Sequence, residues 1–181
     1  MDHAEATTRL LDAAERLFYA RGVQAVGMDE IRGASGVSLK RLYQCFPSKE
    51  ELVVGYLRRR DLRWNAALAE SVARTEDPVE RLNAVFDWLR EWFTEPGFRG
   101  CAFLNTFGEL GEAPAIGAAV RAHKEALRTY LDGLVEDAGM PESLTDQLYL
   151  LVEGAIVTAA VTGNPDAAEQ AKAVVAALLN H

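Results

Sequence analysis

The sequence predicts an all-α protein, and three observations support this class. Apolar residues recur at three- and four-residue spacing through most of the 181 residues, and alternating β-branched runs are absent. The six prolines fall between the periodic segments rather than filling them. With 49% apolar and 25% charged residues, the chain has the composition of a globular protein, and we expect about nine helices.

Four helices are predicted in the first part of the chain. Gly22 ends the first helix, because glycine tolerates the left-handed backbone at a helix end. Ser48 begins the fourth, with Glu51 three residues later as its capping-box partner. In order, the four cover Thr7 to Ala20, Asp29 to Ser35, Ser38 to Phe46, and Lys49 to about Ser71.

Five further helices are predicted after the break at Pro78. Pro96-Gly97 ends the first of them, and Gly163-Asn164-Pro165 separates the last two. In order, the five cover Val79 to Thr94, Cys101 to Leu110, Ala115 to Ala138, Ser143 to Thr162, and Asp166 to Leu179.

The net charge of −8 is unevenly distributed. Residues 1 to 64 hold 11 Lys and Arg against 9 Asp and Glu, a balance of +2, which leaves −10 for the rest. Taken whole, the charge argues against a nucleic-acid partner, because binding to phosphates needs positive charge. Because the N-terminal 64 residues have a positive balance, this part of the chain could still bind nucleic acid. The run Arg58-Arg59-Arg60, with Arg63, could contact phosphate or lie on a solvated surface. The solvated surface is the prediction, because consecutive helical residues point about 100° apart.

The second and third helices have the pattern of a helix-turn-helix. Two short helices that cross steeply need a glycine at the turn and apolar anchors on both sides. Gly36 and Val37 meet the first need, and Ile31 and Leu42 the second. The same pattern also fits a tight pair of core helices with a solvated polar face.

With those anchors pointing inward, the third helix presents a polar face whose side chains suit DNA. Arg and Lys can bind guanine, and Gln can bind adenine, so Lys40, Arg41 and Gln44 are the candidate base readers. Candidate phosphate contacts are Ser38, Tyr43 and Lys49.

An ordered set of motifs across roughly residues 8 to 55 resembles the N-terminal domain of TetR-type transcriptional regulators. The residues that carry the resemblance are Leu17-Phe18, Gly22, Met28-Asp29-Glu30-Ile31, Gly36-Val37-Ser38, Leu42-Tyr43 and Phe46-Pro47-Ser48-Lys49-Glu50-Glu51-Leu52.

The resemblance implies a three-helix, homeodomain-like helix-turn-helix domain over residues 1–48 and a connecting helix over 49–74. Residues 75–181 would then form a helical bundle for ligand binding and dimerisation. It also implies a homodimeric repressor on a palindromic operator, released when a small molecule binds the bundle.

Aromatic and apolar side chains of the bundle could line an effector pocket or simply fill the core. They suggest a small hydrophobic or aromatic effector. His123 could contact that ligand or be a hydrogen-bonded core residue, and the Asn105–Glu109 pair could be structural or ligand-binding. The pocket candidates are Phe86, Leu89, Trp92, Phe93, Phe103, Phe107, His123, Leu127 and Tyr130.

The last two helices suit dimerisation, because small residues allow close helix approach and an apolar strip would otherwise stay exposed. The interface candidates are Gly154, Ala155, Thr158, Ala159, Thr162, Val174, Val175 and Leu178.

No signal predicts a cofactor, a metal site or a catalytic residue. The N-terminal residues lack the order of a signal peptide, and the longest late uncharged run, Gly154 to Pro165, is shorter than the roughly 20 residues that span a bilayer. We therefore expect a cytoplasmic regulator without a membrane partner. The alternative is a small-molecule-binding or catalytic helical dimer that no longer reads DNA. Cys45 and Cys101 are expected to be thiols, and a redox role for them stays open.

Overall fold

A computed structural model describes residues 1–179, which form nine helices and no strand. The predicted all-α class is confirmed. The last two residues of the expected ligand-binding domain, 180 and 181, lie outside the described part. The helices are α1 (His3–Arg21), α2 (Met28–Ser35), α3 (Leu39–Cys45), α4 (Lys49–Val72), α5 (Pro78–Phe93), α6 (Ala102–Leu110), α7 (Pro114–Asp137), α8 (Ser143–Thr162) and α9 (Ala167–Leu179).

Short polar side chains define several helix starts. The Glu5 amide donates to the Asp2 carboxylate over 2.7 Å, so α1 begins four residues before the predicted Thr7. The Glu51 amide donates to the Ser48 hydroxyl over 3.1 Å, which confirms Ser48 as the cap of α4. Asp77 likewise accepts two amides at the start of α5.

The described chain divides into two compact units. The first unit comprises Met1–Leu62 and Ala102–Ala122. In it α1 packs against α2 and α3, and Leu10, Ile31 and Leu42 are fully buried. The second unit comprises Arg63–Cys101 together with His123 and the residues after it.

In the second unit α5, α8 and α9 pack against one another. A cluster of rings fills part of this core, with Trp64 edge-on to Trp88 and Trp92 at centroid distances of 4.9 and 5.7 Å. Phe93 and Phe98 extend the same cluster. These side chains anchor the second unit by removing a large aromatic area from water.

The compact units do not coincide with the boundaries expected from the sequence, 1–48, 49–74 and 75–181. The first unit also takes in α6 and the first part of α7, because these segments pack with the N-terminal helices. The expected boundaries stay predictions.

Among the described helices, α8 has the length and apolar composition of a membrane span, with a mean hydropathy of 1.3. Such a helix also occurs in protein cores, and α8 packs against α5 and α9 within its unit. Both its inward and its outward faces carry apolar residues, and this accounts for the high hydropathy.

Candidate functional site

The geometry of α2 and α3 is that of a helix-turn-helix. Gly36 has φ +67°, a left-handed conformation that ends α2 and turns the chain into α3. Ile31 and Leu42 are fully buried, and Val37 is nearly so. The two helices are therefore held by the anchors that the spacing indicated, and one face of α3 must point outward.

The outward face of α3 carries two rows of side chains spaced four residues apart. Lys40 and Gln44 form one exposed row, and Leu39 and Tyr43 form the other, with exposed fractions of 47% and 45% for the latter two. Arg41 is half-buried beside them. Leu39 is not among the candidates from the sequence; an exposed leucine here offers an apolar contact that suits a thymine methyl group.

The candidate phosphate contacts flank this face. The Ser38 hydroxyl accepts the Arg41 amide over 3.3 Å and so caps α3, which leaves its proton for a second acceptor. Lys49 is half-buried at the first residue of α4, where the helix dipole also favours an anion. These positions stay predictions of phosphate contacts.

The prediction that the run of three arginines lies in solvent is wrong for Arg59 and Arg60. Arg59 donates to Asp12 over 2.8 Å and to Glu15 over 2.7 Å. Arg60 lies 4.0 Å from the centroid of the Tyr19 ring. Asp12 and Glu15 of α1 face α4, so these arginines join the two helices instead of lying in solvent.

A cavity of about 340 Å³ lies within the first unit, between α4, α6 and α7, and it opens to solvent where Arg58 and Ala118 are exposed. Its wall is mainly apolar, and the space exists because the residues on one face of α7 are alanines with small side chains. Arg58 and Asp61 of α4 supply its charged groups. The lining residues are Leu57, Arg58, Asp61, Phe103, Ala115, Ala118, Ala119 and Ala122.

Of the effector-pocket candidates from the sequence, Phe103 lines this cavity. Phe107, on the same helix, is 46% exposed. The other seven belong to the second unit. There Phe86, Leu89, Trp92, Phe93 and Leu127 are buried, and Tyr130 is half-buried.

His123 is buried in the second unit. Its ring meets the Trp64 ring edge-on at a centroid distance of 5.4 Å. In the same unit, burial raises the pKa of the Tyr130 phenol above its ordinary value, against an opposing effect of Arg81. Both polar rings thus sit among packed apolar groups of this unit.

The predicted dimer-interface residues fall into two groups. Ala155, Ala159 and Val175 are buried inside the second unit, so they are closed to direct contact with a second copy. Gly154, Thr158, Thr162 and Val174 are exposed, and Leu178 is half-buried. The sequence candidates omit Leu150, Val157 and Val161, which are 70%, 41% and 81% exposed.

A charged cluster in the second unit joins α7, α8 and the residue that precedes α6. The Lys124 ammonium donates to both Glu153 oxygens over 2.7 Å and lies 3.6 Å from the Cys101 sulfur. Burial lowers the pKa of Lys124, but Cys101 and Glu153 together raise it by more, so it lies above its ordinary value. Cys101 is buried, whereas Cys45 is half-buried with its sulfur 3.6 Å from His3 Nδ1.

Glu153→Gln should lower the free energy of unfolding by about 2 kcal/mol at pH 8. This value lies between those of exposed and buried ion pairs, because both side chains are partly buried. A raised lysine pKa stabilises the fold below the ordinary pKa, and this contribution disappears as the pH rises through the folded-state pKa. Without Glu153, the folded-state pKa of Lys124 falls toward or below its ordinary value, so less stability should be lost as the pH rises from 8 to 11. Urea unfolding from pH 8 to 11 measures both effects.

The matched control is Glu136→Gln, which removes an exposed carboxylate from α7. Tyr130, whose raised pKa acts in the same direction, is present in every variant and cancels in the comparison. The raised pKa of Tyr149 depends first on burial and then on Glu153, so its change is part of the Glu153→Gln effect. Equal effects of the two glutamate substitutions would contradict the assigned role of the Lys124–Glu153 pair.

Two family models match the chain. The model of bacterial regulatory proteins of the tetR family matches residues 10–55, and that of the tetracyclin repressor-like C-terminal domain matches residues 98–181. The first match includes the helix-turn-helix of α2 and α3, and the second includes the helices α6 to α9.

Similar curated proteins are transcriptional regulators. The HTH-type regulator Rv1255c of Mycobacterium tuberculosis is 42% identical over 77 residues, which are 42% of this chain and 38% of Rv1255c. The HTH-type transcriptional activator FasR of Mycolicibacterium smegmatis is 32% identical over 133 residues, 73% of this chain and 60% of FasR. The matched segment therefore spans about two fifths of the length of Rv1255c.

Solved structures match over most of the chain. A regulator from Streptomyces coelicolor, SCO4454, superimposes with a TM-score of 0.89 at 29% identity, covering 98% of this chain and 95% of that one. A tetR-type regulator from Streptomyces avermitilis, sav143, has a TM-score of 0.76 at 30% identity and covers 89% of both chains.

Proposed function

The chain belongs to the TetR family of DNA-binding transcriptional regulators, and we propose that it represses its target as a homodimer on a palindromic operator. Family membership makes it a transcription regulator rather than an enzyme. The observation that carries the proposal is the exposed face of α3, which displays base-reading side chains on a helix anchored by Leu42.

Lys40, Arg41 and Gln44 are assigned to base edges in the major groove, with Leu39 beside them as an apolar contact. Lys40 and Gln44 lie four residues apart and exposed, so both can reach the same groove. Ser38, Tyr43 and Lys49 are assigned to the DNA backbone, where they fix the register of α3.

A second copy of the chain is the proposed partner of the outer face of α8. Leu150, Gly154, Val157, Thr158 and Val161 form one exposed stripe, and its apolar members would leave water on pairing. Val174 adds an exposed apolar group on α9. Two such helix pairs would form a four-helix interface and present two α3 helices to the two operator half-sites.

The cavity of the first unit is the proposed effector site. Its volume of about 340 Å³ and its apolar wall suit a small hydrophobic or aromatic molecule, and Arg58 and Asp61 can orient a polar group of that molecule. A bound effector would favour a conformation that no longer fits the operator, and the protein would release the DNA in the cytoplasm. FasR is named an activator, so the sign of regulation needs its own measurement.

Gel retardation with the promoter DNA that flanks the protein's own gene tests the proposal. Lys49→Ala should weaken binding to every sequence and lower the salt slope by about 1, because one phosphate is no longer neutralised. Gln44→Ala should instead relax one base position, worth about 1–3 kcal/mol. Measurements at several salt concentrations on single-base operator variants separate the two effects.

Lys172→Ala serves as the control, because it removes the same charge from the second unit. Identical effects of Gln44→Ala on all operator variants would overturn the base-reading assignment. Absence of specific retardation by the native protein at low salt would favour the alternative, a small-molecule-binding helical dimer that no longer reads DNA.

A further inference from the structure

Glu109, near the end of α6, is bound to the turn between α1 and α2. Its carboxylate accepts the Val23 amide over 3.1 Å and the Gln24 amide over 2.7 Å. The Gln24 side chain donates back to the Glu109 carbonyl over 2.7 Å. These three hydrogen bonds join segments that are 85 or 86 positions apart in the chain, both within the first unit.

The turn is shaped to receive this carboxylate. Gly22 has φ +87°, and a Cβ added there would lie 2.8 Å from Glu109 Oε1, closer than such atoms approach. Val23 and Val26, which follow in the turn, are buried at 1% and 0% exposure. The bound turn is therefore packed into the helix-turn-helix core, and it leads directly into α2, which begins at Met28.

The opposite end of α6 lines the cavity. Phe103 is buried and contributes to the cavity wall, and it precedes Glu109 by six residues, about 9 Å along a helix. One short helix therefore touches the cavity at Phe103 and the α1–α2 turn at Glu109. A shift of α6 caused by an occupant of the cavity would reach the turn without passing through a flexible segment.

We propose that Glu109 is a positioning residue that couples occupancy of the cavity to the orientation of α2 and α3. The inference rests on the proposed function, because it names how the effector site regulates DNA binding. With the cavity empty, the carboxylate holds the turn and keeps α3 set for the operator. An occupant that displaces Phe103 moves Glu109, and the turn moves with it or loses its hydrogen bonds.

A cavity-filling substitution supplies the probe while the natural effector is unidentified. Ala118 lines the cavity, so Ala118→Phe places a ring in the space an effector would take. In the native background this substitution should weaken binding to the promoter DNA about tenfold, within the usual range of allosteric coupling. In a Glu109→Ala background the further effect of Ala118→Phe should shrink to about twofold or less.

Two further variants test whether the Glu109 carboxylate itself carries the coupling. Glu112→Ala removes an exposed carboxylate just beyond α6 and should leave the effect of Ala118→Phe unchanged. Glu109→Gln keeps one acceptor oxygen and should retain part of the coupling. Thermal unfolding of each variant excludes global destabilisation as the cause.

Hydrogen exchange of the Val23 and Gln24 amides gives a readout that does not depend on DNA. Both should exchange faster after Ala118→Phe and after Glu109→Ala, while the amide of Leu42 stays protected. Unchanged exchange at Val23 and Gln24 after Ala118→Phe overturns the coupling, as does an equal effect of Ala118→Phe on DNA binding with and without Glu109. Failure of the native protein to retard any promoter DNA would instead overturn the proposed function, while the exchange result still decides the coupling.

Discussion

Val157→Glu combined with Val161→Glu should convert the protein to a monomer and weaken operator binding at least about 100-fold, the usual size of an avidity effect. Val161 is 81% exposed and Val157 41%, and both lie on the outer stripe of α8. Pairing of two copies there would bury both glutamates, and burial of unpaired carboxylates opposes association. A monomer then binds one half-site without the gain from the second.

Analytical ultracentrifugation and gel retardation measure the two effects on the same samples. The matched control is Leu62→Glu, which introduces a glutamate at a leucine of α4 that is 72% exposed and outside the α8 stripe. The control should stay dimeric and bind the operator as the native protein does. A doubly substituted protein that remains a dimer would contradict the assignment of this face to the homodimer.

Leu42→Ala should destabilise the helix-turn-helix by about 3 kcal/mol and abolish specific DNA binding. Leu42 is fully buried and is the residue by which α3 is anchored to the core of the first unit. Its truncation leaves a cavity under α3, so the helix loses its fixed orientation as well as stability. The dimer should persist, because its proposed interface belongs to the second unit.

Leu39→Ala provides the control on the same helix with the same change in volume. Leu39 is 47% exposed, and we expect its truncation to change the unfolding free energy by less than about 0.5 kcal/mol. Urea unfolding followed by circular dichroism separates the two variants. Equal destabilisation by both would contradict the anchoring role of Leu42.

The α8 helix shows why sequence reasoning identifies only part of the proposed dimer face. Small and apolar residues of α8 occur on all sides of the helix, so the sequence pattern cannot distinguish its inward face from its outward face. The pattern selects Ala155 and Ala159 although they pack inside the unit, and it omits Val161 although that side chain is 81% exposed. Contacts with α5 and α9 decide the rotation of α8.

The cavity shows a related limit. Aromatic side chains are natural candidates for a pocket, yet Trp92 and Phe93 pack in the aromatic cluster of the second unit. The cavity instead lies beside Ala118 and Ala119, because small side chains leave space and large ones fill it. Residue spacing along one helix carries no information about which opposing helix leaves a gap.

By itself, the sequence determined the nine helices of the described residues and the outward face of α3. These features depend on local signals, namely helix caps, the Gly36 turn and the spacing of Ile31 and Leu42, which act over a few residues. Only the tertiary structure decided the place of Arg59 against α1 and the contact of Glu109 with the turn at Val23. Those contacts join segments tens of residues apart, and their geometry exists only once the helices have packed.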